Sequence, residues 1–232
     1  PLRIYFVADD PSKQHYLSTC CAPALLAPRA TRTLEIAKSV GRFHMTYGLG
    51  TVGDVPPSPR LRLPYSDEAA YCVSQGYDGQ FSHQDIRSRY AVDFDMDEGT
   101  TIVAAADGVV VGVVDRYEQG APDPRFKNRG NYIAVYHPSL GVFTEYWHLM
   151  HRGSLVKVGD SVRAGQYVAK SGKTGFAQGP HLHFFVWIAN DDPELTKRSV
   201  PFHFGAMPAS ELTARTNVNP RDGSVGQCNS EL

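Results

Sequence analysis

The chain has 232 residues, enough to bury a substantial core in one large domain or two small ones. Hydrophobic residues make up 42% and charged residues 20%, and 23 Lys and Arg stand against 24 Asp and Glu, for a net charge of −1. The apolar share excludes a disordered chain, the charge balance argues against nucleic acid as the main partner, and no apolar run reaches the ~20 residues that span a bilayer.

The sequence opens on Pro1 rather than Met and reads as processed, with any signal peptide already removed. Four cysteines are present, Cys20, Cys21, Cys72 and Cys228. No CxxC pair occurs, which argues against a ribbon-type zinc site. The even count permits disulfides, leaves their pairing open and leans towards an oxidising compartment.

In chain order, short runs rich in Val, Ile, Tyr and Phe predict strands at Arg3–Ala8 and Arg32–Ala37. Asp54–Pro64 follows, with four prolines, and reads as an extended connector that no central strand could contain. Further strands are expected at Thr101–Ala106, Val109–Val114, Tyr132–Tyr136, Val142–Trp147, Tyr167–Ser171 and His183–Ile188. Helix is confined to Glu194–Arg198 or Ala209–Ala214. The fold class is therefore all-β. A small β-rich N-terminal region is expected over residues 1–64, a denser β-domain over 65–205, and a polar, partly extended tail over 206–232. The first region carries no motif; its position before the chemistry suggests that it limits access to the site.

Nine histidines are present, and five fall in three settings: His83, the pair His148 and His151, and the pair His181 and His183. In Gly179–Trp187 (GPHLHFFVW), His181 and His183 are two apart on a strand and project from one face, a half-site for zinc or a pair of half-buried strand histidines. In Phe81–Phe94, Asp93 sits inside an apolar run, ten residues after His83. A buried carboxylate needs a cation, and this is either a metal or Arg87 or Arg89. In Thr144–Met150 (TEYWHLM), His148 ends a strand, with Trp147 facing the opposite way by alternation; the histidine is a general acid or base, or a rim residue. Tyr77 is a candidate phenolic donor. His151 reads as a surface residue, and His15, His44, His137 and His203 as structural or solvated.

Together and in this order, QGYDGQFSH, YAVDF, EGTTIVAAADGVV, GNYIAVYH, EYWHL, VKVGDSVRAGQYVAKSGKTG and GPHLHF resemble the LytM/lysostaphin family of zinc peptidoglycan endopeptidases, over Gln75–Ile188, about half the chain. The resemblance implies one zinc ion held by His83, Asp93 and His183, with His148 and His181 as catalytic histidines that are not ligands. Most members place three residues between the first His and the Asp, whereas nine intervene here. Three protein ligands leave a position for a water nucleophile. The absence of HExxH excludes a helix-borne glutamate base. The resemblance further implies a groove floored by an antiparallel sheet, with Tyr117–Arg129 and Thr174–Pro180 as walls, peptidoglycan stems or cross-links as partners, and a periplasmic or secreted location. Three rival readings are a metal-free or latent relative that binds the wall or activates other hydrolases, a lipoyl-type carrier, which lacks its modified-lysine tripeptide here, and a generic β-protein whose histidines are incidental.

Overall fold

The computed structural model describes residues 2–14, 24–26, 41–53, 58–66, 68–221 and 223–228. The strand expected at Arg32–Ala37 lies outside the described residues, as do His15, Cys20 and Cys21. The named elements are strands joined by loops and three-residue 3-10 turns, an all-β architecture. Among the described residues no helix is long and apolar enough to cross a membrane. The chain forms two compact units, residues 1–55 with 188–198, and residues 56–187 with 199–232.

In the first unit, β1 (Leu2–Ala8) lies between β2 (Ala24–Leu26) and β3 (Phe43–Leu49), antiparallel to both. Arg3 is only 2% exposed. Burying a guanidinium is costly unless its donors are used. Its donors reach the hydroxyl of Tyr5 and the carbonyls of Leu49, Asn190 and Thr196. The segment around residues 190–196 thus belongs to this unit through one side chain. Glu194–Arg198, expected as helix, instead turns on Asp192, whose carboxylate accepts from the backbone of Glu194 and Leu195.

The second unit contains β4 (Arg60–Leu61), β5 (Val73–Gln75), β6 (Ala91–Asp95), β7 (Thr101–Val103), β8 (Gly108–Val114), β9 (Tyr132–His137), β10 (Val142–Trp147), β11 (Ser161–Val162), β12 (Tyr167–Lys170) and most of β13 (His181–Ala189). Seven of these run in the order β11-β8-β9-β10-β13-β6-β5, every pair antiparallel. Alternation sends Val92 and Phe94, Leu182, Phe184 and Val186, Tyr146, Ile133 and Val135 to one face, all fully or almost fully buried. Phe94 packs edge-on to Tyr65, and Phe184 to Tyr146 and Phe202, so aromatic rings fill this core. A polar thread crosses it. His137 bonds Asp107 and Thr144, Thr144 donates to Tyr146, and the Tyr146 hydroxyl accepts from the Ala105 amide.

The C-terminal segment packs on the same unit. The expected helix at Ala209–Ala214 is only a 3-10 turn, Ala209–Glu211. Leu212 is fully buried, and the backbone of Gly76 passes so close that a Cβ there would stand 2.1 Å from the Leu212 carbonyl. The Cys72–Cys228 disulfide ties the end of the segment beside β5.

Candidate metal centre

The opposite face of the large sheet carries polar chemistry. Cross-strand register pairs Tyr132 with Trp147, Trp147 with His183, His183 with Asp93, and Asp93 with Gln75. Residues paired across strands share a face, so these five form one rung across β9, β10, β13, β6 and β5.

His83 joins the rung from the loop between β5 and β6. Its amide bonds the Gly79 carbonyl, and the loop closes where the Asp78 amide donates to Arg89. Arg87 pairs with Asp85 at 2.7 Å and Arg89 with Asp78 at 2.8 Å. The nine-residue spacer thus folds into a locally paired excursion, and neither arginine is the partner of Asp93. That partner is a pair of imidazoles. His183 Nδ1 lies 2.8 Å from Asp93 Oδ1, His83 Nε2 lies 3.2 Å from the same oxygen, and the two nitrogens are 3.0 Å apart.

These three atoms are well disposed to hold a metal ion. Ligand bonds of about 2.0–2.1 Å at tetrahedral angles put donor atoms about 3.3 Å apart, close to the separations seen. The tautomer of His83 also fits: its Nδ1 donates to the Gly76 carbonyl at 2.7 Å, leaving a lone pair on Nε2. His83, Asp93 and His183 are 0%, 5% and 8% exposed, so the charge is largely screened from water by protein. Burial opposes ionisation of Asp93, but the charges and hydrogen bonds of His183 and His83 outweigh it and hold the carboxyl well below its ordinary range. Burial works against the charged form of His83 too, yet its bond to Asp93 prevails and raises it, whereas at His183 burial prevails and lowers it.

His148 and His181 border the same centre, with ring centroids 4.4 Å apart, and neither belongs to the triad. His148 Nδ1 donates to the Thr174 carbonyl at 2.7 Å and His181 Nδ1 to the Gly179 carbonyl at 2.9 Å. Each ring is therefore left with an acceptor Nε2 in its neutral form. Burial, reinforced by His181 and His183, pushes His148 down to about 3.

Simple alternation fails at Trp147 and His148. Trp147 lies on the rung with His183, and His148 turns back towards that same face. The reason is backbone: His148 follows the end of β10 and sits at φ 62°, a left-handed conformation unfavourable for a residue with a Cβ. Asn131 and Thr174, both buried, hold this bend. The Asn131 side chain donates to Leu149 and Tyr117, and the Thr174 hydroxyl donates to Leu149 while accepting from the Asn131 amide.

Gln75 is a residue that sequence reasoning missed. Its amide nitrogen donates to Asp93 Oδ2 and to Ser82, both at 2.9 Å, and its oxygen accepts from the amides of Phe81 and Ser82. It orients the carboxylate and fixes the loop that delivers His83. Its only sequence signal was membership of the QGYDGQFSH stretch. Tyr77, the candidate donor, is engaged elsewhere, its hydroxyl accepting from the Phe202 amide and donating to the Phe202 carbonyl.

A cavity of about 480 Å³ opens beside Asp93 and His181, bordered by Phe81 and Phe176, whose rings stack at 4.9 Å, and by Leu212. Phe176 lies in the Thr174–Pro180 wall, and the Tyr117–Arg129 segment joins that wall through Gln119 and Ala121, which bond Gly175. Of the remaining histidines, His151 makes a 3.6 Å contact with Glu118, His44 faces Asp9 and His203 bonds Ser58.

Residues 87–194 match Peptidase family M23, a stretch that includes Asp93, His148, His181 and His183 but begins after His83. The chain is 34% identical over 133 residues to the Glycyl-glycine endopeptidase ALE-1 of Staphylococcus capitis, covering 57% of this chain and 33% of that protein. It is 29% identical over 151 residues to the Peptidoglycan DD-endopeptidase ShyA of Vibrio cholerae, covering 64% and 32%. Among solved structures it is similar to the catalytic domain of lysostaphin from Staphylococcus simulans, at 26% identity and a TM-score of 0.41, covering 58% of this chain and 94% of that one. The chain spans about a third of the length of these two curated relatives.

Proposed function

We propose that this chain, whose residues 87–194 match peptidase family M23, is a zinc-dependent endopeptidase that hydrolyses peptide cross-links of bacterial peptidoglycan, in the periplasm or outside the cell. The observation that carries the reading is the convergence of His83 Nε2, Asp93 Oδ1 and His183 Nδ1 within 3.2 Å of one another, with His148 and His181 beside them. The Cys72–Cys228 disulfide supports an oxidising compartment.

His83, Asp93 and His183 would hold the ion. When bound, zinc supplies a Lewis acid that brings the pKa of a water towards ~7 and polarises a scissile carbonyl. Gln75 keeps Asp93 turned so that Oδ1 faces the two imidazoles. His148 Nε2 and His181 Nε2 would face the attacking water, and one of them accepts the single proton it releases. That ring, once protonated, donates a hydrogen bond to the oxyanion and then returns the proton to the leaving amine. The Thr174 and Gly179 carbonyls fix both rings in the tautomer this requires. Phe81, Phe176 and the cavity beside them form a wall along which an extended peptide lies.

The test is metal content together with digestion of purified peptidoglycan, with and without chelator, read by mass spectrometry. One zinc per chain and chelator-sensitive release of cross-linked peptides support the proposal, and the products identify the bond. A protein that takes up no zinc and cuts nothing after zinc is added back overturns it in favour of a binding or latent protein.

A further inference from the structure

Beside the centre lies a carboxylate that the proposed mechanism does not use. Asp95 follows Asp93 by two residues on β6, so the two side chains share a face, and its cross-strand partner is His181. Asp95 is exposed and borders the cavity together with Asp93 and His181. Among the described residues its carboxylate has no hydrogen bond or ion pair. No Lys or Arg lines the cavity; Lys173 pairs with Glu98, Arg89 with Asp78 and Arg87 with Asp85, and Lys127 lies over the ring of the bordering Phe176, 5.6 Å from its centroid. Asp93, by contrast, is held by His83, His183 and Gln75. Asp95 is therefore a carboxylate with no ion partner of its own among the described residues, about two strand residues, ~6.6 Å, along from Asp93.

We propose that Asp95 is a specificity-determining residue that binds a primary ammonium group of the substrate peptide, the side-chain amine of a diamino acid within two residues of the scissile bond. This rests on the endopeptidase reading and narrows its substrate class. A stem peptide bearing such an amine is favoured over a bridge of glycines, which offers no charge at this point. A carboxylate placed there is repelled. Because the pocket is open to water, the attraction is moderate and weakens with salt.

The experiment uses two synthetic peptides identical except that the side-chain amine is acetylated in one. Cleavage by the zinc-loaded protein is measured as kcat/KM. Binding is measured by calorimetry on the same peptides made uncleavable by N-methylation of the scissile amide. The wild type is expected to favour the amine about fivefold to tenfold in both readouts, and Asp95→Asn to treat the two peptides alike. Asp95→Ser serves as a second variant if Asp95→Asn does not fold. Equal treatment of the two peptides by the wild type, or a preference that survives in both variants, overturns the assignment and leaves the endopeptidase reading standing. Cleavage of neither peptide, with an Asp95-dependent preference in binding, retires the endopeptidase reading and keeps the ammonium site. Neither cleavage nor preference overturns both.

Discussion

Replacing Gln75 with alanine tests whether the ordering of Asp93 depends on a neutral side chain. All four hydrogen-bonding positions of this amide are in use: two donors to Asp93 and Ser82, two acceptances from the amides of Phe81 and Ser82. The bond to Asp93 is charge-assisted, worth about 1.5–3 kcal/mol. At about 1.4 kcal/mol per decade, its loss weakens zinc binding about 10- to 100-fold, the range expected for an outer-shell partner. The two backbone bonds add about 2 kcal/mol of lost fold stability, at about 1 kcal/mol each. Zinc affinity is read by competition with a chromophoric chelator at pH 7.5, and stability by urea unfolding of the same preparation. Gln75→Glu separates the two effects, because a carboxylate still accepts from Phe81 and Ser82 but faces Asp93 as a like charge. It is expected to keep most of the stability and lose metal affinity. A zinc Kd within about threefold of wild type in Gln75→Ala, alongside the expected stability loss, would mean that Gln75 anchors the loop and nothing more.

Asp93→Ala and His183→Ala are expected to lose both zinc and activity, whereas His148→Ala and His181→Ala should keep one zinc by mass spectrometry and lose at least about 100-fold in kcat; loss of metal from His181→Ala would refute the division of the two strand histidines. Cys72→Ser opens a bridge spanning 156 residues and should cost about 2–5 kcal/mol by urea unfolding; an unchanged midpoint would show that the C-terminal segment holds without it. His137 is fully buried, and burial, outweighing its bond to the Asp107 carbonyl, lowers its pKa. The unfolded chain therefore takes up a proton below pH ~6.5 that the folded chain refuses, so this group removes stability as pH falls, by up to about 1.4 kcal/mol per pH unit. His137→Gln should flatten the acid limb of stability against pH, and an unaltered slope would contradict the burial of a neutral ring.

The four candidate site histidines and the aspartate were legible because each sits in a local signal. His181 and His183 are two apart on a strand, and Asp93 is a charge inside an apolar run. What local reading could not decide was the partner of Asp93, since two arginines stood closer in sequence than either imidazole. Folding settled that by pairing Arg87 and Arg89 inside their own loop. Gln75 was invisible because an amide two residues before Tyr77 has no chemistry until a neighbouring strand brings Asp93 to it. The orientation of His148 was misjudged because alternation assumes extended backbone, and this residue has left it. The strand order of the large sheet was not legible either, since it depends on register set between segments as distant as β5 and β6 from β13.

The buried Arg3 has a consequence for synthesis. Two of its carbonyl partners, Asn190 and Thr196, are encoded more than 180 residues later. At about 5–20 residues per second, a chain emerging N-terminus first spends roughly ten to forty seconds with this guanidinium unable to reach its final partners. The first unit therefore cannot complete itself as it is made. It must wait until the sheet that bears His183 has been translated, so the amino-terminal unit reaches its native state no earlier than the strand that carries this histidine.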